Sequence, residues 1–400
     1  MTSIFQDVPL APRDPILGVT EAFNADTRPG KVNLGVGVYY DDNGKVPLLQ
    51  SVRRAEAELQ AAAAPRSYLP IDGVPGYVKA VQALVFGADA PVLREGRVVT
   101  VQSLGGTGAL KLAADFLQRF NPGAGVWISD PSWENHRALF EGAGFKVETY
   151  PYYDPATRGL DFAAMAGRLK TLPARSVVVL HVCCHNPTGA DPSRAQWGEI
   201  IEIVRAGGLV PILDLAYQGF AEGLEADADP VRRFVAAGIP VLVANSFSKN
   251  FSLYGERVGA LSLVAANADE AARALSQLKR VIRTNYSNPP THGARVVEMV
   301  LTHPELRALW ERELAEMRER IKAMRQVLVE RVQARGQNVD FGFVLRQNGM
   351  FSYSGLGKDD VARLREEHGI HAVDSGRICV AALNTGNVDR VAAAVAALLK

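Results

Sequence analysis

The residues Val241-Leu242-Val243-Ala244-Asn245-Ser246 run directly into Phe247-Ser248-Lys249-Asn250, and this segment is the main evidence for the fold class. Its apolar, β-favouring first part predicts a buried strand, which places Lys249 on a loop just past the strand's end. Open α/β sheets bind their ligands at that position. A lysine amine there can form a Schiff base with a carbonyl compound, while nearby hydroxyls and Arg257 can hold an anion such as phosphate. The alternative is an ordinary surface lysine in a serine-containing turn.

Similar apolar runs recur on both sides of this stretch, separated by helical patterns. Near-continuous apolar strands with helices between them are typical of a mostly parallel sheet covered on both faces. We therefore predict an α/β fold, in which helices sandwich a mostly parallel seven-stranded sheet. The predicted strands are Val98–Ser103, Val126–Ser129, Val147–Tyr152, Val177–Val182, Val210–Leu215, Val241–Ser246 and Gly259–Val264.

The chain has 400 residues, which is too long for one ordinary core and predicts two domains. The charged segment Leu306–Ala334 contains no glycine or proline and predicts a long helix that leads into a smaller α+β domain. We expect an N-terminal arm over residues 1–13, where prolines disfavour helix. The large domain is predicted to span residues 45–315, and the small domain residues 14–44 and 316–400.

Composition excludes several classes of protein. The 44 basic and 43 acidic residues give a formal net charge of +1, so charge favours neither a nucleic-acid nor a membrane partner. We find no apolar run long enough to span a bilayer and no signal peptide. The three cysteines form neither a disulfide framework nor a zinc-binding spacing, so we expect no metal and a reducing cytoplasm.

Other predicted strand ends also carry chemistry-bearing residues. Gly105-Gly106-Thr107-Gly108 lies between a strand and a helix, where backbone N–H groups can bind an anion; the alternative is a tight turn. Asp214 ends an apolar run and needs a partner if it is buried, such as a protonated pyridine nitrogen; a helix N-cap is the alternative. Tyr217, three residues later, could then reach a neighbouring ring hydroxyl.

Further candidates follow in the same way. Asn186 lies in an Asn-Pro turn that could point its amide at a ligand, although most such turns have no other role. Trp133 opens a helix and suits a flat aromatic platform or core packing. Arg283 and Arg377 carry guanidinium groups that match carboxylates in a bidentate manner, although most arginines lie on the solvated surface.

Taken together, these motifs resemble the fold-type I aminotransferases that use pyridoxal phosphate, in their aspartate and aromatic amino acid branch. The likeness covers nearly the whole chain. The sequences of Leu253–Arg257 and Cys183–His185 are most similar to those of the bacterial aromatic (tyrosine) enzymes, while Thr107 and Asn288 resemble the aspartate enzymes. The motifs that carry the resemblance are Asn33–Tyr39, Tyr68–Gly73, Gly105–Ala109, Asp130–His136, His185–Gly189, Asp214–Phe220, Ser246–Asn250 and Ser375–Arg377.

The resemblance implies a role for each of these residues. Lys249 bonds to the cofactor and moves the proton, Asp214 pairs with the ring nitrogen, and Tyr217 and Asn186 hold the ring hydroxyl oxygen. The resemblance also implies that Trp133 stacks on the ring and that Arg377 binds the substrate α-carboxylate with help from Gly37 and Asn186. His181 is implied to support Asp214 from behind. Residues implied to hold the phosphate are Gly105, Gly106, Thr107, Ser246, Arg257 and, from a second subunit, Tyr68.

The predicted reaction is ping-pong transamination of tyrosine, phenylalanine and aspartate with 2-oxoglutarate in a cytoplasmic homodimer. Arg283 of the neighbouring subunit is implied to bind a side-chain carboxylate. The alternative within the family is an aspartate aminotransferase with little aromatic activity. Weaker alternatives are a cofactor-dependent elimination or decarboxylation, a protein-binding scaffold and a cofactor-sensing DNA-binding regulator. The regulator needs a basic helix-turn-helix extension, and the sequence predicts none.

Overall fold

The computed structural model describes residues 3–11, 16–335 and 340–399. Between residues 98 and 264 most of its strands alternate with helices, as the apolar pattern predicts. The β-strands are β1 Val32–Asn33, β2 Val98–Leu104, β3 Val126–Asp130, β4 Val147–Pro151, β5 Tyr153–Asp154, β6 Gly159–Leu160, β7 Val177–His181, β8 Val210–Leu215, β9 Val241–Ser246, β10 Val258–Val264, β11 Phe351–Tyr353, β12 Ile370–His371 and β13 Arg377–Cys379.

Helices cover the sheet and form most of the C-terminal region. Short 3₁₀ turns lie at Tyr254–Glu256, Gly342–Arg346 and Val380–Ala382. The α-helices are α1 Leu17–Ala25, α2 Gln50–Ala61, α3 Pro75–Phe86, α4 Pro91–Arg94, α5 Gly105–Phe120, α6 Glu134–Glu141, α7 Phe162–Leu169, α8 Arg194–Gly207, α9 Leu224–Ala236, α10 Ala268–Asn285, α11 His292–Thr302, α12 Pro304–Gln333, α13 Lys358–His368 and α14 Val388–Leu398.

The central sheet has seven strands in the order β2-β10-β9-β8-β7-β3-β4. Strand β10 runs antiparallel to both of its neighbours, and the remaining pairs are parallel. Strands β7, β9 and β10 are buried along their whole length, because helices cover both faces of the sheet. This arrangement confirms the predicted mostly parallel, seven-stranded α/β fold.

The carboxyl ends of six of the seven strands lie at one edge of the central sheet. Strand β2 runs in the same direction as β9, because both are antiparallel to β10. The segments that follow β2, β3, β7, β8 and β9 therefore leave the sheet on the same side, where ligands of open α/β sheets bind. Within this edge, Asp214 on β8 lies directly beside His181 on β7.

Residues near the two ends of the sequence pack together. Strand β1 pairs in parallel with β12, and β11 pairs with β13. Helix α12, about 45 Å long, packs against α14 and also against α2 and α11. Helix α12 continues without a break through residues 315 and 316. The predicted boundary between the large and small domains at these residues stays a prediction.

The described part of the N-terminal arm lies on the surface. Residues 3–11 are exposed, including the apolar side chains of Ile4, Phe5, Val8 and Leu10. The predicted influence of Pro12 and Pro15 falls outside the described residues. Among the residues that the structure does describe, no helix is both long and apolar enough to cross a bilayer.

Candidate active site

A cavity of about 210 Å³ opens at the carboxyl edge of the sheet. It brings together residues that lie far apart in the sequence, from Gly37 to Arg377, and most of the predicted site residues line it. Those residues are Gly37, Gly106, Thr107, Trp133, Asn186, Asp214, Tyr217, Ser246, Lys249, Arg257 and Arg377.

Lys249 lies in the turn after β9, as the sequence predicts. The next residue fixes this turn, because the indole N–H of the buried Trp310 on α12 donates to the Asn250 carbonyl oxygen over 2.8 Å. The Lys249 Nζ lies 5.1 Å from the centre of the Tyr217 ring. Burial lowers the pKa of Lys249 to about 8 against the opposing effect of Asp214, and the charges of Arg257 and Arg377 lower it further. About a tenth of this amine is therefore uncharged at pH 7, far more than for a lysine with the ordinary pKa of about 10.4.

Asp214 is a buried carboxylate on β8 and not a helix N-cap. Its Oδ2 accepts a hydrogen bond of 3.0 Å from His136 Nε2. Burial alone would raise the pKa of Asp214, but the His136 hydrogen bond and the charges of His136, His181 and Lys249 outweigh burial and bring the pKa below its ordinary value. The cavity thus contains a fixed negative charge that can pair with a cationic ring nitrogen.

Two histidines stand behind Asp214. His136 is held from its other side by Ser132, whose Oγ lies 2.9 Å from His136 Nδ1. His181 is 6% exposed, and neither ring nitrogen has a hydrogen-bond partner among the described residues. Burial, together with His136, lowers the pKa of His181 to about 3, although Asp214 opposes this shift. A neutral His181 ring therefore borders the cavity beside Asp214, and the described residues show no hydrogen bond between the two side chains.

An anion cradle forms where α5 begins. The first N–H groups of this helix have no partner within the helix, and its dipole favours a negative charge there. Gly105 has a φ of +69°, and a Cβ at this position would come within 2.5 Å of Arg257 Nη2. A Cβ on Gly106 would lie 3.2 Å from Ser246 Cβ. The glycines therefore leave room for the Arg257 guanidinium and the Ser246 hydroxyl beside the helix terminus.

Arg377 is a buried guanidinium with 2% of its side chain exposed. It donates to Asn186 Oδ1 over 3.0 Å and to the Gly35 carbonyl oxygen over 2.6 Å, and its Cζ lies 4.4 Å from the centre of the Phe351 ring. Its Nε has no hydrogen-bond partner among the described residues. This partly satisfied cation at the wall of the cavity is suited to bind a carboxylate.

Three predicted residues do not line the cavity. Gly105 lies beside it and shapes the backbone, its N–H donating to the Arg257 carbonyl oxygen over 2.9 Å. Tyr68 is 91% exposed on the surface. Arg283 is exposed in the last turn of α10 and donates to Ser287 Oγ. The roles of Tyr68 and Arg283 depend on a second chain and stay predictions.

Several further residues of the site were not predicted from the sequence. His136 follows Trp133 by one helical turn, so an i,i+3 search from Trp133 would have found it. Ser248 Oγ accepts a hydrogen bond of 3.3 Å from Arg257 Nη1, and its place beside Lys249 was a sufficient signal. Tyr254 and Phe351 also line the cavity, but nothing in their local sequence distinguishes them from core residues.

An amine with a lowered pKa, a buried carboxylate, an anion cradle and a carboxylate-binding arginine line one cavity. This combination is suited to an enzyme that binds a phosphorylated carbonyl cofactor and acts on a carboxylate substrate.

Comparison with known proteins identifies the family. The sequence model of the family "Aminotransferase class I and II" matches residues 29–395, and the chain belongs to this family. An aspartate aminotransferase of Pseudomonas aeruginosa is 60% identical over 397 residues, which cover 99% of this chain and 100% of that protein. An aromatic-amino-acid aminotransferase of Escherichia coli K12 is 54% identical, with the same coverage.

A solved structure agrees with these relatives. The crystal structure of an aromatic-amino-acid aminotransferase from Burkholderia pseudomallei, covalently bound to pyridoxal phosphate, matches with a TM-score of 0.98 and 63% identity over 100% of both chains.

Proposed function

We propose that this chain is a pyridoxal-phosphate-dependent aminotransferase of aromatic and dicarboxylic L-amino acids. It transfers the amino group of tyrosine, phenylalanine or aspartate to 2-oxoglutarate by a ping-pong mechanism and yields the oxo acid and glutamate. The observation that carries this proposal is that Lys249, Asp214 and Arg377 line one cavity beside an anion cradle. Relatives named for aspartate and for aromatic amino acids are similar over almost the whole chain, which supports both substrate classes.

The cavity fits pyridoxal phosphate. Gly106, Thr107, Ser246 and Arg257 would hold the phosphate at the start of α5, and Gly105 leaves them room. Asp214 would pair with the ring nitrogen, Asn186 and Tyr217 would hold the ring hydroxyl oxygen, and Trp133 would stack on the ring. When bound, pyridoxal phosphate supplies an aldehyde for amine exchange and an electron-poor ring that stabilises negative charge on the substrate's Cα.

The residues of the chain carry out the binding and proton-transfer steps. Arg377, with Gly37 and Asn186, holds the α-carboxylate and thereby fixes the Cα. Lys249, whose pKa of about 8 suits a base near neutral pH, takes the Cα proton and returns it one carbon away. Burial raises the pKa of Tyr217, so its hydroxyl keeps its proton and can donate a hydrogen bond. Donor and acceptor use the same arginine, so one product leaves before the next substrate binds.

Replacing Arg283 by leucine tests the substrate scope. We expect kcat/KM for aspartate and glutamate to fall by about 2–4 kcal/mol in transition-state free energy, because the side-chain carboxylate loses its partner. Phenylalanine carries no such charge, so its kcat/KM should change little. Side-by-side kinetics with 2-oxoglutarate as acceptor measure the donor half-reaction for aspartate and phenylalanine, and oxaloacetate replaces 2-oxoglutarate when glutamate is the donor. The matched control is Arg273→Leu, an exposed arginine of the same helix. Equal losses for both donor types would contradict the role of Arg283.

We further propose a homodimer in which Tyr68 and Arg283 complete the partner's site. Both side chains are exposed and neither lines the cavity of its own chain, while Ile4, Phe5, Val8 and Leu10 offer exposed apolar surface. Two-fold symmetric homodimers are the commonest symmetric oligomers.

Mixed dimers test this arrangement. Lys249→Ala and Arg283→Leu chains are each expected to be poor aspartate transaminases alone, but refolding them together should restore aspartate activity. Each mixed dimer then contains one site with an intact Lys249 and a partner's intact Arg283. Sedimentation at assay concentration checks the assembly. A fully active monomer, or no recovery in verified mixed dimers, would exclude shared sites.

The proposed location is the cytoplasm. Cys183, Cys184 and Cys379 are buried free thiols, which is the form that a reducing compartment maintains.

A further inference from the structure

Glu134 is an acidic residue beside the proposed carboxylate site. It is the first residue of α6 and directly follows Trp133. Its side chain is 31% exposed, and its Oε1 lies 3.9 Å from Arg377 Nη1, which is too far for a hydrogen bond. Its Oε2 is buried and has no hydrogen-bond partner among the described residues. A carboxylate thus faces the substrate-binding arginine without being bonded to it.

The position of Glu134 on the helix explains only part of this arrangement. A negative charge in the first turn interacts favourably with the helix dipole. That interaction supplies no donor to Oε2, and a buried carboxylate oxygen without a donor is costly. Arg377 Nε is also buried without a partner. A charge and a countercharge therefore lie close together while each retains unsatisfied hydrogen-bonding capacity.

The field of Glu134 extends beyond Arg377. The pKa of Tyr353 is raised to about 12, mainly by burial. A hydrogen bond with Ser375 opposes this rise, and the negative charge of Glu134 contributes to it. Tyr353 on β11 pairs with Arg377 on β13. The negative charge of Glu134 therefore acts on the part of the cavity wall that holds the arginine.

We propose that Glu134 is a specificity-determining residue that weakens carboxylate binding at Arg377 and disfavours substrates with a second carboxylate. This inference rests on the proposed function. Because Glu134 offsets part of the Arg377 charge, an incoming α-carboxylate is attracted less strongly. An aspartate or glutamate side chain adds a further negative charge that Glu134 repels, whereas a tyrosine or phenylalanine side chain does not. Glu134 thereby shifts the balance toward uncharged side chains.

Glu134→Gln tests this proposal, because glutamine keeps the size of the side chain and removes its charge. The holoenzyme is titrated by calorimetry with two unreactive acids, succinate with two carboxylates and 3-phenylpropionate with one. We expect 3-phenylpropionate to bind about threefold more tightly and succinate about tenfold more tightly. In steady-state kinetics, KM for aspartate should fall more than KM for phenylalanine, without an increase in kcat for either.

Two further variants separate charge from structure. Glu134→Ala also removes the charge, so it should tighten binding in the same order as Glu134→Gln. Glu141→Gln removes a charge at the opposite end of α6, where Glu141 pairs with Arg137, and should leave both affinities unchanged. Weaker binding in both Glu134 variants, or equal changes for the two acids, would overturn the proposal.

Different results would contradict the proposed aminotransferase function and the proposed role of Glu134. If the unmodified enzyme does not transaminate aspartate or aromatic amino acids, the proposed function is wrong whatever the Glu134 variants show. If it transaminates both classes and Glu134→Gln leaves the ratio of the two affinities unchanged, only the role of Glu134 is wrong.

Discussion

Lys249→Ala is expected to remove nearly all transamination, by about 10⁴-fold or more in kcat, because the variant loses both the covalent attachment and the base that moves the Cα proton. The purified variant should also lose the visible absorbance of covalently attached pyridoxal phosphate, and borohydride should no longer fix the cofactor to the chain. Single-turnover kinetics and mass spectrometry after borohydride treatment measure the two effects.

Two control variants accompany Lys249→Ala. Lys249→Arg keeps the positive charge but cannot lose its proton near neutral pH, so it should be almost as inactive. Lys322→Ala removes an exposed lysine that pairs with Glu319 on α12 and should be fully active. Full turnover in Lys249→Ala would end the proposed mechanism.

Asp214→Asn is expected to lower kcat by about 10²–10³-fold, since the substitution removes a fixed charge that stabilises the transition state. The substitution should also change the pKa of Lys249. The carboxylate raises the pKa of Lys249, while burial and two arginines lower it to about 8. Without the carboxylate, the pKa should therefore fall further, and the uncharged amine should predominate at lower pH.

The pKa of Lys249 can be measured without the cofactor. The rate at which the cofactor-free protein reacts with an amine-specific reagent should follow the uncharged fraction of Lys249, with a midpoint near 8 that moves to lower pH in Asp214→Asn. Asp389→Asn, which changes an exposed aspartate paired with Arg331 and Arg335, should leave rate and midpoint unchanged. An unshifted or raised midpoint in Asp214→Asn would contradict the coupling between these two groups.

The sequence predicts the sheet well because its strands are buried on both faces. Val210–Leu215 and Val241–Ser246 have the same bounds in the sequence pattern and in the structure, and the other central strands differ by one residue at an end. A strand covered by helices on both sides needs apolar residues at every position, so its pattern is continuous and its limits are clear. The residues at the strand ends then follow from topology.

The contacts that complete the site could not be predicted in this way. Trp310 supports the Lys249 turn from 60 positions away, and its pattern is that of any buried helix residue. His136 and Glu134 act through distances to Asp214 and Arg377 that no local pattern encodes. The proposed roles of Tyr68 and Arg283 depend on a surface of another chain. Tertiary and quaternary geometry therefore decide what the local sequence leaves open.

The pairing of β1 with β12 has a consequence for synthesis on the ribosome. Val32 and Asn33 are each made 338 residues (370 − 32) before their partners Ile370 and His371. At the usual rate of translation, this delay is on the order of tens of seconds. The carbonyl oxygen of Gly35 likewise accepts a hydrogen bond from Arg377, which is made much later than Gly35. A nascent chain therefore holds the β1 segment and Gly35 unpaired, and accessible to chaperones, until β12 and Arg377 have been made.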